Sequence, residues 1–246
     1  MKSLTFILIF ITISLQVIAQ RPYPYLETMQ FKNECGDEPL ILIHYDKTLG
    51  EEVNIQRSKL PQNHRLYSSE FEENDIVTLK LRFNTRELKN EYYLIFSFGP
   101  SCDPGFYIID ATTNESIGGT SGLEIYIPGG NSIYTTGHIN STFNKKRKYA
   151  FNGEKFKEIK PEFYYVGLKT KTLKPLVIYV DEQLTEKLAS LPSQYDIEVL
   201  VAKRTENYNS KIKFLVRTTL GLVGWSEIQY GVFNSIDVEG IKFMGD

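Results

Sequence analysis

The stretch Val77-Thr78-Leu79-Lys80-Leu81-Arg82-Phe83 alternates apolar and polar side chains without a break. Successive residues of a strand point to opposite faces, so the pattern predicts a β-strand whose odd positions are core and whose even positions are wet. Just downstream, residues 92–98 form a continuous apolar run bounded by Asn90 and Gly99-Pro100. That is the pattern of a strand covered on both faces. Shorter β-rich segments follow at 106–110, 123–127 and 132–136, separated by Gly, Pro and Asn. Such regular punctuation predicts antiparallel hairpins.

Further along, Tyr149-Ala150-Phe151-Asn152-Gly153-Glu154-Lys155-Phe156 carries an Asn-Gly pair between apolar flanks. Asn-Gly tolerates the positive φ angles of a type I′ turn, so a hairpin is expected here with Phe151 and Phe156 as neighbours. Lys160-Pro161 then interrupts the ladder and marks a domain boundary. Beyond it, short strands are expected at 163–166, 176–180, 197–201, 214–218 and 224–228. Five short strands in that length suggest a small barrel. Only residues 181–190 lean towards helix, and they read equally as an irregular loop ending at Pro192. The segment 236–243 mixes apolar and polar residues and is expected to pair with a sheet. The fold class predicted is therefore all-β, with an N-terminal antiparallel domain over 21–161 and a small barrel over 162–246. The 16 tyrosines and 15 phenylalanines fit this class, since aromatic side chains favour strands.

The N-terminus predicts where the protein goes. Lys2 precedes an apolar run over residues 4–13, and Val17-Ile18-Ala19 follows as a small-residue cleavage site. This is the pattern of a signal peptide over residues 1–20, too short to span a bilayer, with cleavage after Ala19 or Gln20. The mature chain is thus expected to be periplasmic or extracellular and to carry no transmembrane segment. A formal net charge of −2 argues against nucleic acid as a partner, because phosphate-binding modules are usually basic. Cys35 and Cys102 both fall in the exported part, where an oxidising compartment favours a disulfide. Such a bridge adds on the order of 2–4 kcal/mol by restricting the unfolded chain.

Ala189-Ser190-Leu191-Pro192, Ile197-Glu198-Val199-Leu200, Phe214-Leu215-Val216-Arg217-Thr218 and Gly221-Leu222-Val223-Gly224-Trp225 follow one another in an order that resembles bacterial SH3-like domains. The resemblance implies a small barrel in the C-terminal half, with the Gly-x-x-Gly-Trp segment as a tight turn and the tryptophan closing one end. The mature chain as a whole also resembles uncharacterised exported proteins of Gram-negative bacteria. The stretches concerned are Ile125-Tyr126-Ile127-Pro128-Gly129, Gly137-His138-Ile139-Asn140 and Pro161-Glu162-Phe163-Tyr164-Tyr165-Val166-Gly167-Leu168-Lys169-Thr170. This second resemblance implies export and fold but no activity.

Four residues stand out as candidate ligand-binding positions. Trp225 is the single tryptophan and reads either as an aromatic platform for a peptide or sugar or as barrel core. Tyr164 and Tyr165 are adjacent, so a strand must turn one ring outward unless the other domain covers it. They read either as a displayed pair or as packing between the two modules. His138 lies in a turn-like setting and reads as a structural hydrogen-bonding residue or, less simply, as a catalytic or metal-binding one. The cluster Lys145-Lys146-Arg147-Lys148 reads as an attractor of anions or as a solvated hairpin edge guarded against strand pairing.

No catalytic residue, metal-ligand set or cofactor motif is legible. There is no phosphate-cradling glycine loop, no Gly-x-Ser-x-Gly elbow and no His-Glu-x-x-His, and Asp103 and Asp110 lack the spacing of a calcium loop. The expected function is a non-catalytic binding or scaffolding protein of the cell envelope, presenting a surface to a cell-wall glycan, a peptide or an envelope protein. The alternative is a secreted inhibitor of a hydrolase such as a lysozyme-like enzyme, acting through the loop Gly129-Gly130-Asn131-Ser132.

Overall fold

A computed structural model of the chain describes residues 23–32, 40–64, 66, 74–99, 103–205 and 211–245. The signal-peptide segment and both cysteines, Cys35 and Cys102, lie outside the described residues, and the bridge expected between them with them. The described chain is all-β. The first eleven strands are β1 (Glu27–Phe31), β2 (Ile41–Tyr45), β3 (Gly50–Gln56), β4 (Ile76–Arg82), β5 (Glu91–Ser97), β6 (Gly105–Asp110), β7 (Ser116–Ser121), β8 (Glu124–Ile127), β9 (Ser132–Gly137), β10 (Lys145–Phe151) and β11 (Phe156–Ile159). Six more follow: β12 (Phe163–Lys171), β13 (Leu176–Tyr179), β14 (Lys187–Leu191), β15 (Asp196–Lys203), β16 (Ile212–Thr218) and β17 (Val223–Ile228). No helix among the described residues is long and apolar enough to cross a membrane.

The strands form three sheets, ordered β1-β2-β8-β9-β10-β11, β3-β4-β5-β6-β7 and β12-β15-β16-β17-β13-β14. All their pairings are antiparallel except one, for β2 runs parallel to β8. The N-terminal part is therefore mixed rather than purely antiparallel. Between β2 and β8 the chain builds the whole second sheet, and a crossover of that length can return in the same direction where a tight hairpin cannot.

The first two sheets face each other across one core. Ile41, Ile43, Ile125 and Ile133 from the first meet Leu79, Leu94, Phe96 and Phe106 from the second. Each such buried side chain contributes roughly 1.5–3 kcal/mol relative to exposure. The alternating stretch is β4, and Val77, Leu79, Leu81 and Phe83 are all buried as expected. They do not share a face. The register slips between Val77 and Leu79, so Val77 pairs with Ile95 and Leu79 with Leu94. Thr78 is the extra residue of a bulge, and its Oγ1 donates to the Leu94 carbonyl at 3.0 Å. Val77 and Ile95 consequently join a second small core with Leu60, Leu66 and Ile109. The second sheet thus has an apolar cluster on each face, which is why the run in β5 is apolar at nearly every position.

The hairpin at Asn152-Gly153 differs from expectation. Phe151 pairs with Phe156, leaving a four-residue loop, and of Asn152 and Gly153 only Gly153 has positive φ, at 97°. The Asn152 side chain accepts from the backbone N–H groups of Glu154 at 3.2 Å and Lys155 at 2.9 Å. This Asx-type arrangement closes the loop without the type I′ geometry. The two phenylalanine rings are neighbours, their centroids 5.5 Å apart.

In the third sheet β12 and β14 are the outer strands of a single row. Its inner face buries Ile178, Val199, Phe214, Val216 and Ile228 against Val238 and Ile241 of the C-terminal segment and Phe143 of the β9–β10 connection. The C-terminal segment attaches through isolated bridges, Thr172 to Val238 and Ser141 to Met244. Residues 181–184 make a turn rather than a helix. The Asp181 carboxylate accepts from the Thr185 hydroxyl at 2.7 Å and the Glu186 N–H at 3.0 Å, which leads the chain into β14.

Candidate functional site

The face of the third sheet opposite its core carries a row of large side chains that register alone brings together. Tyr165 pairs with Val201, Val201 with Leu215, Leu215 with Trp225, and Trp225 with Tyr179. One cross-strand line therefore runs over β12, β15, β16, β17 and β13. Phe163 stands one step along β12 from this line, opposite Lys203. Phe163 and Tyr165 are 37% and 55% exposed, and Val201, Leu215, Trp225 and Tyr179 are half-buried.

Although β15 and β16 separate their strands, the rings of Phe163 and Trp225 approach to 5.8 Å between centroids at 41°. Three strand spacings of about 4.8 Å separate the two backbones, so the rings lean towards each other over Val201 and Leu215. Lys203 also crosses the face. Its ammonium lies 6.0 Å from the Phe163 ring centroid and pairs with Glu182 in the β13–β14 turn. Lys146 sits 4.7 Å from the Tyr165 ring centroid, and Lys213 and Glu227 pair across β16 and β17 beside the row. The result is an aromatic floor with a mostly cationic margin.

Two glycines shape this surface. Gly167 stands at the register slip of β12 with φ 66°, and a β-carbon there would overlap the Tyr165 hydroxyl. The Tyr165 ring thus folds over a backbone position that only glycine leaves clear. A β-carbon at Gly224 would lie 2.8 Å from the Tyr179 carbonyl oxygen, so its absence lets β17 approach β13 beside Trp225. The Gly-x-x-Gly-Trp segment is consequently part turn and part strand. Trp225 sits within β17 on the outer face, not in the core.

Of the other candidates, Tyr164 turns the opposite way from Tyr165, as strand alternation requires. It is 4% exposed and packs against Phe143 where the third sheet meets the first. Its hydroxyl donates to Glu158 at 3.1 Å, and the Lys145 ammonium lies 4.1 Å from its ring centroid. Burial and the Glu158 carboxylate push its phenol well above the usual range. His138 is half-buried, with Nε2 2.8 Å from the Lys242 carbonyl oxygen. A carbonyl only accepts, so Nε2 carries the hydrogen. Burial holds this imidazole below its ordinary value. Within the cluster 145–148, Lys145, Lys146 and Arg147 pair with β9 alone, and β11 joins β10 only from Lys148 onward, so this end of β10 runs past its β11 partner. Arg147 within it is buried.

An open cleft of about 910 Å³ lies at the other end of the third sheet beside Lys169, Lys171, Asp196, Glu198 and Arg217. Four of its charges are matched in two pairs, Lys171 with Asp196 at 3.9 Å and Arg217 with Glu198. The loop Gly129-Gly130-Asn131-Ser132 is held by hydrogen bonds from the Asn84 N–H to the Gly129 carbonyl at 2.8 Å and from Asn131 to Glu87 at 3.1 Å. Among the described residues no group of three or more His, Cys, Asp and Glu is placed to hold a metal ion. The chain matches no protein-family model, no curated protein and no solved structure.

Proposed function

We propose that this chain is an exported, non-catalytic binding protein of the cell envelope, that its third sheet is an SH3-like module, and that the outer face of that sheet holds an acidic segment of a partner protein. The observation that carries the reading is the meeting of Phe163 and Trp225 above Val201 and Leu215, with Tyr165 and Tyr179 extending the same row. Interfaces draw most of their affinity from a few Trp, Tyr and Arg side chains at the centre of a patch, and exposed clusters of this kind mark contact sites. Lys146, Lys203, Lys211 and Lys213 border the patch against Glu182 and Glu227. That margin favours an acidic partner and speeds its encounter. Short antiparallel strands packed on one core support the SH3-like assignment.

Capture from an envelope extract by mature protein, compared with Trp225→Ala and Tyr165→Ala, tests this reading. A salt-sensitive partner retained by wild type and lost by both variants is the expected result. Retention of the same partner by both variants would remove the aromatic face from the account, and selective binding to purified glycan strands would redirect it.

A second reading, inhibition of a hydrolase, draws on the loop at Gly129-Gly130-Asn131-Ser132, which its bonds to Asn84 and Glu87 hold in one shape before any partner arrives. Binding energy is then not spent on ordering the loop. Inhibition of a lysozyme-like enzyme that Asn131→Ala weakens would support it, and no inhibition by wild type would sink it.

A further inference from the structure

Between the third sheet and the first, Ser141, Thr142, Lys145, Arg147, Glu158 and Tyr164 line a pocket of about 240 Å³. That is below the roughly 300 Å³ at which pockets begin to hold drug-sized molecules, and suits a small ion with its water. Among the described residues the charged lining is Lys145, Arg147, Lys203 and Arg204 against Glu158. Glu158 already accepts from the Tyr164 hydroxyl and lies 3.8 Å from the Lys145 ammonium. Lys203 is turned towards Glu182.

Arg147 is the anomaly. It is 8% exposed, and among the described residues its guanidinium donates only to the carbonyls of Ser121 and Ile139, each at 3.4 Å. Among the described residues no carboxylate lies within ion-pair distance of it. A guanidinium has five donors in a planar fork and keeps its charge at any ordinary pH. Buried charges are paired in stable proteins because removal from water is costly. Two long bonds to neutral carbonyls leave this one short of a counter-charge. Thr142 adds a second unsatisfied group to the same wall: it is 1% exposed and its hydroxyl oxygen has no hydrogen-bond partner among the described residues.

We propose that this pocket binds a small oxyanion, with the Arg147 guanidinium as its charged anchor and Lys145 as a second cation. Guanidinium groups take planar and tetrahedral oxyanions through two parallel charge-assisted bonds. The two sites share Lys203 at their margins, but Arg147 and Lys145 lie off the aromatic face, so the proposal stands whether or not that face binds a partner.

The test titrates the mature full-length chain, kept in chloride buffer at constant ionic strength, with inorganic phosphate, sulfate or acetate, and reads melting temperature and calorimetric heat. A ligand that binds only the folded state raises the melting temperature as its concentration passes the dissociation constant. The expected result is a saturable rise with at least one anion, weakened about tenfold or more in Arg147→Gln and several-fold in Lys145→Gln. A response to phosphate and sulfate but not acetate assigns a tetrahedral ligand, and a response to acetate alone assigns a carboxylate. Either supports the site. No response of wild type to any of the three, or an undiminished response in the variants, overturns it. Lys145 is only partly buried, so Lys145→Gln keeps the test decisive if Arg147→Gln does not fold.

Discussion

His138 Nε2 lies 2.8 Å from the carbonyl oxygen of Lys242, 104 residues downstream. This contact ties the C-terminal segment, which supplies Val238 and Ile241 to the core of the third sheet, to the β9–β10 connection of the first. Its pH dependence follows from the direction of the His138 shift. Burial lowers the folded value below the ordinary 6.5, so near and below that pH the unfolded chain binds a proton that the folded one resists. Stability from this group is complete above about pH 6.5 and is lost as pH falls through the folded value. Thermal unfolding between pH 7.5 and pH 5 should show a fall that His138→Ala flattens, and that variant should be cleaved faster within residues 236–245 by limited proteolysis. A wild-type slope unchanged by the substitution would contradict the assignment.

Gly167→Ala should lower both stability and partner binding. The substitution forces a non-glycine residue to φ 66° and places its β-carbon against the Tyr165 hydroxyl. The backbone cost alone is about 1–2 kcal/mol, and the Tyr165 ring must swing away from the row it completes. Unfolding midpoints and partner capture measured on the same preparation check this. Tyr165→Phe retains the ring and should keep most binding, so the pair separates loss of the hydroxyl from displacement of the ring.

The aromatic row was half legible in the sequence. Tyr165 and Trp225 stand out in the sequence as candidates that read either as displayed rings or as packing, and the opposite orientations of Tyr164 and Tyr165 follow from strand alternation. Phe163, Tyr179, Val201 and Leu215 do not, because what joins them is the register among five strands of order β12-β15-β16-β17-β13, and nothing local encodes strand order. The bulge at Thr78 hid in a similar way. Strict alternation over 77–83 correctly gave a strand with buried odd positions, yet one slipped residue divides those positions between two cores. Several strands not foreseen are edges: β1, β3, β7 and β14. Edge strands bury one ladder only, so β7, with Ser-Ile-Gly-Gly-Thr-Ser, shows no apolar pattern. β2, with Ile-Leu-Ile-His-Tyr, carries a short apolar run that could have been read.

Asp110 ends β6 and holds the turn that follows. Its carboxylate accepts from the Asn90 side chain at 2.7 Å and from the N–H groups of Thr112 at 2.7 Å and Thr113 at 3.0 Å. Burial pushes its pKa up, but these bonds outweigh burial and hold it below the ordinary 3.8. Its contribution is therefore full above about pH 4 and disappears as pH falls through the folded value. Asp110→Ala should cost about 1–3 kcal/mol at neutral pH and shrink the acid limb of the stability profile. Denaturant midpoints at pH 7 and pH 3 measure both effects, and an equal loss at the two pH values would exclude the carboxylate as the cause.

Thr142→Val is expected to stabilise the protein when no oxyanion is present. The hydroxyl oxygen is buried without a partner, and the isosteric methyl removes an unmet hydrogen-bonding demand without opening a cavity. An unsatisfied buried group costs roughly 1–3 kcal/mol, and a gain near 1 kcal/mol corresponds to a rise in melting temperature of about 2–4 °C for a chain of this size. The same measurement repeated with a bound anion bears on the pocket beside it. If the Thr142 hydroxyl turns to the anion once the pocket fills, the advantage of valine should shrink under saturating ligand. If valine destabilises the anion-free protein, the hydroxyl has a partner there after all, and the wall of the pocket is less polar than Arg147 and Thr142 together imply.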